Sequence, residues 1–186
     1  MSVKEKKRGR PKGSGSQLSA PLILDTAKQL MRENGKVPSI RGLATQLGVD
    51  AMAIYHYFEN KNALLEAITV SLMSDIYLPK TNVDWQHELK LLCVSYVSLL
   101  NRYSGLLETL LKMETLGPSD VFNERLDHVL SPLSLNDENK KRALDLLVDY
   151  LHGYALALNC NQTSEPLTPD MLDGSLHLYC LALVHA

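Results

Sequence analysis

The sequence has little of what most enzymes and membrane proteins require. Aromatic side chains make up 6% of its 186 residues, and no apolar run is long enough to cross a bilayer. It has no glycine-rich phosphate loop, no nucleophile elbow and no clustered carboxylates or metal ligands. Its N-terminus is basic and polar, unlike a signal peptide. We therefore expect no enzyme, no membrane association, no cofactor and no metal, and a cytoplasmic location.

Cysteine is also scarce. The three cysteines, Cys93, Cys160 and Cys180, are odd in number, lack C-x-x-C spacing and lie in apolar, helix-like contexts. These features predict three buried thiols rather than a disulfide framework or a zinc site.

Strand patterns are nearly absent, because few segments alternate apolar and polar residues. The patterned segments are dominated by Leu, Ala, Lys and Glu, and hydrophobic residues make up 45% of the chain, enough for a substantial core. We expect an all-α protein of one mid-sized domain or two small ones.

The net charge of −2 conceals an uneven distribution. Residues 1–16 carry six basic side chains and one acidic one, whereas residues 65–186 carry eight basic and sixteen acidic ones. The N-terminal third therefore suits a polyanion, and the remainder would be repelled by one.

Residues 1–17 form a basic arm with almost no large apolar side chain, so we expect it to be disordered when free. Arg8 and Arg10, with Gly9 between them and Pro11 after them, resemble the core of an AT-hook. Such a segment lays its arginines along a narrow A·T-rich minor groove. The alternative is a solvated tail that attracts phosphates without sequence preference.

Residues 39–61 have the pattern of two short helices joined by a tight turn. Ser39 is a suitable N-cap for the first helix, and Gly48 suits the left-handed residue that ends it. Asp50 is a natural N-cap for the second helix, which we expect to run to about Tyr57, with Ile54 pointing inward. This is the pattern of a helix-turn-helix, whose second helix can enter the major groove of DNA.

The same stretch resembles the tetracycline-repressor (TetR) family of bacterial transcription regulators. The resemblance rests on the pattern L-A-x-x-L-G-V-x-x-x-x-I-Y-x-Y-F-x-x-K-x-x-L-L. Its residues here are Leu43, Ala44, Leu47, Gly48, Val49, Ile54, Tyr55, Tyr57, Phe58, Lys61, Leu64 and Leu65. The family resemblance implies a three-helix DNA-binding head, which we place at residues 18–65. It also implies a helical effector-binding and dimerisation body, which we place at residues 66–186.

The predicted DNA contacts fall into two groups. Ser39, Tyr55, Tyr57 and Lys61 are expected to hold backbone phosphates, as the family resemblance implies for the last three. Base reading is expected from Arg41, Ala51, Met52 and His56, through guanine edges or thymine methyls. Tyr57 could instead pack within the head, and Arg41 could be a solvated surface residue.

In the body, the predicted helices cover residues 85–103, 106–116, 119–129, 137–158 and 171–184, with a break at Gly117-Pro118 and a loop over residues 159–169. The helix before them should run from Lys61 to about Tyr77. The last helix is apolar nearly all round, so it needs a second partner. The resemblance implies a homodimer formed by the last two helices; the alternative is a monomer with a well-covered core.

The resemblance also implies a small-molecule effector. Tyr96, Tyr103, Met113 and Tyr154 are the leading candidates for its pocket, with Trp85, Tyr150 and His152 as further ones. The leading function is thus a dimeric repressor released from a palindromic double-stranded operator by an unidentified effector. The alternative is a ligand-independent architectural DNA-binding protein or a co-regulator.

Overall fold

The computed structural model of the chain describes residues 18–81, 83–113, 117–160 and 166–186, and all regular structure within them is helical. The predicted all-α class is confirmed. A short 3₁₀ helix, Pro169–Leu172, precedes the last α-helix. The α-helices are α1 (Ala20–Asn34), α2 (Ile40–Leu47), α3 (Ala51–Tyr55), α4 (Lys61–Met73), α5 (Trp85–Arg102), α6 (Leu106–Lys112), α7 (Gly117–Leu130), α8 (Asp137–Cys160) and α9 (Asp173–Val184). The basic arm, with Arg8 and Arg10, lies outside the described residues.

The first three helices form a small cluster around shared apolar side chains. Ile23, Ala27, Leu43 and Ile54 are each completely buried. The predicted N-cap Ser19 accepts a hydrogen bond from the Leu22 amide at 3.3 Å, which sets the start of α1. A short apolar core and firm caps therefore hold these helices in place.

Helix α4 is shared between this cluster and the rest of the chain. Leu64, Ile68 and Leu72 along it are buried, and the helix contacts both α1 and α7. Lys28 of α1 reaches its far end, where the ammonium donates to the Ser71 carbonyl at 3.1 Å. The predicted boundary at residue 65 lies inside this helix, which therefore links the two parts.

The centre of the body is α5. Leu89, Leu92, Cys93 and Leu100 are completely buried, and α5 contacts α7, α8 and α9. No helix in the described ranges is long and apolar enough to span a bilayer.

The predicted end of α4 was wrong, because the helix stops at Met73 rather than near Tyr77. Beyond it, the Tyr77 amide donates to Ser95 Oγ at 2.8 Å instead of continuing the helical pattern. Arg125 of α7 donates to the Ser74 carbonyl at 3.0 Å and to the Ile76 carbonyl. Tertiary hydrogen bonds thus replace the last helical turn.

Three other predictions were wrong. The predicted break at Gly117-Pro118 is instead the first turn of α7, where a proline needs no amide hydrogen. Helix α8 continues to Cys160, inside the predicted loop. Cys160 is exposed near that end, so only Cys93 and Cys180 are buried thiols.

The cluster of α1–α3 touches the body at a close backbone contact. A Cβ atom placed on Gly105 would lie 2.5 Å from the Gly35 carbonyl oxygen. Beside it, Arg32 donates to the Tyr103 hydroxyl at 2.9 Å and lies 5.6 Å from the centre of that ring. Glycine at 105 is what allows this approach.

We predict that Gly105→Ala destabilises the fold by about 1–3 kcal/mol, because the new methyl group meets backbone rather than a flexible side chain. Urea unfolding followed by circular dichroism measures this. The control is Asn101→Ala, at an exposed position in the last turn of α5, which should change stability by less than about 0.5 kcal/mol. Equal stability of the two variants would contradict the close contact.

Candidate functional site

The turn between α2 and α3 has the geometry that the sequence predicts. Gly48 adopts φ +66°, a left-handed conformation that favours glycine. The next amide, that of Val49, donates to the Ala44 carbonyl at 3.0 Å. Asp50 then caps α3, where its carboxylate accepts from the Met52 amide at 2.7 Å. The helix-turn-helix is therefore held by local hydrogen bonds and one obligatory turn residue.

Helix α3 has one buried face and one open face. Ile54 is completely buried against the cluster, whereas Met52 is 65% exposed and Tyr55 40% exposed. These two side chains are therefore accessible to a partner on the open face of α3. The helix is shorter than predicted, because the amides of Tyr57 and Phe58 both donate to the Ile54 carbonyl.

The other predicted base-reading residues surround this face. Arg41 on α2 and His56 at the end of α3 are exposed, and Ala51 is half-buried in the first turn of α3. Their access to solvent is compatible with contacts to base edges, which remain a prediction.

The predicted phosphate-binding residues lie at helix starts or beside them. Ser39 Oγ accepts from the Gly42 amide at 3.0 Å, and this leaves its hydroxyl hydrogen to donate. Lys61 is exposed at the first position of α4, after Asn60 caps that helix. A helix start carries partial positive charge, so a cation there would add to its attraction for a phosphate.

Tyr57 is placed differently from the other predicted contacts. Its ring is 44% exposed, but its hydroxyl donates to the Leu18 carbonyl. A phosphate contact would require exchange of that bond. In the present arrangement Tyr57 holds the chain just before α1 beside the end of α3.

A second candidate site is a cavity of about 130 Å³ in the body. It lies among five helices, and each contributes side chains to the wall. Its main lining residues are Met73 from α4, Tyr96 from α5, Leu110 from α6, Phe122 from α7, and Val148 and His152 from α8.

Two polar groups meet in this cavity. The Tyr96 hydroxyl and His152 Nε2 are 2.8 Å apart, and the rings of Tyr96 and Phe122 are 4.6 Å apart between centroids. Burial raises the pKa of Tyr96 and lowers that of His152 below its ordinary value near 6.5, although Asp149 partly opposes the second shift. Both groups are therefore uncharged at neutral pH.

The other leading pocket candidates do not line this cavity. The Tyr103 hydroxyl accepts from Arg32, and the Tyr154 hydroxyl donates to the Thr168 carbonyl at 2.7 Å. The Met113 sulfur accepts from the buried Thr69 hydroxyl at 3.5 Å. Sequence reasoning missed Met73 and Phe122, because their helical spacing is that of ordinary core residues.

An apolar groove of about 290 Å³ runs between α8 and α9. Leu146 is 62% exposed beside it and Leu178 is 68% exposed, while Tyr150 and Ala182 complete its walls. At its base the Tyr179 hydroxyl donates to the Ala143 carbonyl at 2.9 Å. Large aliphatic side chains in one exposed groove mark an interaction surface.

In the described part of the chain, no group of three or more His, Cys, Asp or Glu side chains is placed to hold a metal ion.

Comparison with known protein families gives two adjoining matches. Residues 23–68 match the family described as "Bacterial regulatory proteins, tetR family". Residues 78–173, more than half of the chain, match the "Tetracyclin repressor-like, C-terminal domain". Together the matches cover the helix-turn-helix, all of α8 and the lining of the cavity except Met73.

Individual relatives agree with these matches. The class D tetracycline repressor of Escherichia coli is 32% identical over 92 residues, which are 47% of this chain and 42% of that protein. The matched stretch thus spans less than half of that repressor.

Solved structures show the same fold. Apo ActR from Streptomyces coelicolor has a TM-score of 0.77 at 20% identity, covering 92% of this chain and 97% of its own. BioQ, solved with its double-stranded DNA operator, has a TM-score of 0.73 at 20% identity, covering 91% and 100%.

The cap of α3 gives a direct prediction. Asp50→Ala should lower stability by about 0.5–2 kcal/mol, because the Met52 amide loses its acceptor at the start of a five-residue helix. Asp50→Asn keeps an acceptor of the same shape and should stay within a few tenths of a kcal/mol of the unsubstituted chain. Urea unfolding measures both, and equal losses would show that the cap contributes nothing.

Proposed function

This chain belongs to the tetracycline-repressor (TetR) family of bacterial regulatory proteins, and from that premise we propose that it is a transcriptional repressor. It binds a palindromic operator as a homodimer and leaves the operator when a small molecule enters its body. Its place of action is then the cytoplasm, at the chromosome. The observation that carries the proposal is the open face of α3, with Met52 and Tyr55 exposed beside the start of α4.

In this proposal residues 18–65 act as the DNA-binding head, with α3 in the major groove. Lys61 and Tyr55 bind phosphates on either side of the groove and fix the position of α3. Ser39, at the start of α2, adds a third phosphate contact. Arg41, Met52 and His56 then reach base edges, with Ala51 next to them, and these contacts supply sequence preference.

The basic arm extends this contact along the DNA. The hydrogen bond from Tyr57 to the Leu18 carbonyl brings the end of the arm next to α3. From that point Arg8 and Arg10 would enter the minor groove flanking the half-site, where the negative potential is strongest if the sequence is A·T-rich. The support for this minor-groove contact is the spacing of Arg8 and Arg10 in the sequence and the start of α1 at Ala20.

The dimer is proposed to form across the groove between α8 and α9, within the body at residues 66–186. A second copy covers the exposed Leu146 and Leu178 with its own, as a two-fold axis requires. Twin heads on one axis match the two half-sites of a palindrome, which a single head does not.

The link between effector and head is proposed to be α4. Met73 near its end lines the cavity, and Arg125 from α7 donates to the carbonyls of Ser74 and Ile76 just beyond it. Lys61 stands at its other end. A ligand that displaces α7 or Met73 therefore shifts α4, and with it the spacing of the two heads. The response is set by the difference in ligand affinity between the two spacings.

The alternative is an architectural DNA-binding protein or co-regulator without an effector. The cavity between α4 and α8 favours the effector-responsive proposal, because a concave apolar pocket with a few polar groups is typical of small-molecule sites. The membership of the chain in a family of regulators supports DNA binding as the proposed activity.

We predict that Lys61→Ala weakens operator binding and lowers the slope of log affinity against log salt by about one, because one phosphate contact is lost. Tyr55→Phe should weaken binding by about 1–2 kcal/mol through the loss of one hydrogen bond to an anion. Fluorescence anisotropy over a salt series measures both effects.

Lys140→Ala is the matched control, since it removes an exposed lysine from the acidic body. It should leave both affinity and salt slope unchanged. If Lys61→Ala and Tyr55→Phe behave like this control at moderate salt, the assignment of the head is wrong.

We also predict that Leu178→Glu converts the dimer into monomers, because it places a charge in the apolar groove. Sedimentation velocity at micromolar concentration measures this. Leu78→Glu is the control, since it makes the same change at a leucine that is 71% exposed outside α8 and α9. A Leu178→Glu protein that remains dimeric would place the interface elsewhere.

A further inference from the structure

The size of the body cavity limits what can enter it. Its volume of about 130 Å³ is close to the roughly 150 Å³ of an engineered apolar cavity in another protein that holds one benzene molecule. A single six-membered ring with a small substituent fills a space of this size, whereas a second fused ring would extend towards the open mouth of the cavity.

The charge of the lining limits the ligand further. None of the lining side chains in the described ranges, which leave out residues 114–116 between α6 and α7, is Lys, Arg, Asp or Glu. An anion or a cation would lose its hydration on entry without gaining a partner of opposite charge, which costs several kcal/mol. The occupant must therefore be uncharged.

The inner wall is aromatic. The ring centroids of Tyr96 and Phe122 lie 4.6 Å apart at an interplanar angle of 41°, and those of Tyr96 and His152 lie 5.9 Å apart. Tilted aromatic walls favour an aromatic guest over an aliphatic one of the same volume, since ring edges can meet ring faces.

One polar feature remains within the apolar space. Whichever partner donates in the hydrogen bond between the Tyr96 hydroxyl and His152, the Tyr96 oxygen keeps a lone pair that can accept a further hydrogen bond. A ligand hydroxyl can donate to that oxygen without breaking the pair. A ring without a polar substituent leaves this position unused.

From these features we propose that the cavity binds an uncharged single-ring phenol, which lies against Phe122 and donates its hydroxyl hydrogen to Tyr96. The inference deepens the proposed function, because it names the chemical class of the effector, and it rests on that function only for the consequence of binding. Binding itself is independent of DNA.

Isothermal titration of phenol into the full chain without DNA tests the proposal. We expect saturable binding of one phenol per chain. Toluene should bind roughly 3- to 10-fold more weakly, because it lacks the hydroxyl. Benzoate, which is charged, should not bind detectably, and 1-naphthol, whose second ring would extend out of the cavity, should bind more weakly than phenol. Absence of phenol binding at millimolar concentration, or equal binding of benzoate or 1-naphthol, would overturn the inference.

Two variants locate the binding. Tyr96→Phe keeps the ring and should bring phenol affinity down to that of toluene. The matched control is Tyr154→Phe, which removes a hydroxyl that bonds to the Thr168 carbonyl away from the cavity, and it should bind phenol normally. Ser119 is exposed at the cavity mouth, so Ser119→Phe should block entry without a change in the buried wall. Normal phenol binding by both Tyr96→Phe and Ser119→Phe would overturn the assignment to this cavity.

These titrations, combined with a fluorescence anisotropy assay of operator release by phenol and by other small molecules, separate this inference from the proposed function. Phenol binding without release of operator DNA supports the ligand class and contradicts an effector role for the cavity. Release of operator DNA by other small molecules, with no phenol binding, supports the repressor and overturns the ligand class.

Discussion

The rest of the structure depends on the shared packing of α4. Its apolar side chains Leu64 and Ile68 lie in the same continuous core as those of α1 and of the body. Just beyond its C-terminal end, the Arg125 guanidinium donates hydrogen bonds to the carbonyls of Ser74 and Ile76. Because its two ends lie against different parts of the chain, α4 cannot move at one end without a change at the other. Packed cores respond to such displacements by switching between arrangements rather than by deforming smoothly.

Charged and exposed apolar side chains are distributed unevenly along the chain. Basic side chains concentrate before residue 17, while the acidic excess lies in the body. Exposed apolar side chains appear both on α3, at Met52, and along the groove of α8 and α9, at Leu146 and Leu178. One exposed surface therefore suits DNA and another suits a second copy of the chain. An acidic body would repel DNA, so in the proposed function the DNA contacts are confined to the basic N-terminal region.

Local signals in the sequence were sufficient for the head, and non-local contacts limited what could be predicted for the body. The predicted caps Ser39 and Asp50 were both confirmed, because each accepts a hydrogen bond from an amide two or three residues away. The end of α4 depends on Arg125, about 50 residues further on, and no pattern within the helix indicates it. The cavity likewise combines side chains from five helices, so Tyr96 and His152 could be suspected as lining residues, but Met73 and Phe122 could not. For the predicted DNA-contacting side chains, the structure gives their exposure and their positions on the helices. The contacts with DNA themselves remain predictions.

The central claim is that this chain reads a two-fold symmetric DNA sequence as a dimer. Selection of binding sites by the purified chain from a pool of random duplexes tests it most directly, with no prior choice of operator. The account predicts enrichment of one inverted repeat whose half-sites are separated by about one or more helical turns, and loss of the enriched duplexes when an effector is added. Recovery of sequences without a repeat, or with no preference beyond overall A·T content, would contradict it and indicate binding through charge and groove shape alone.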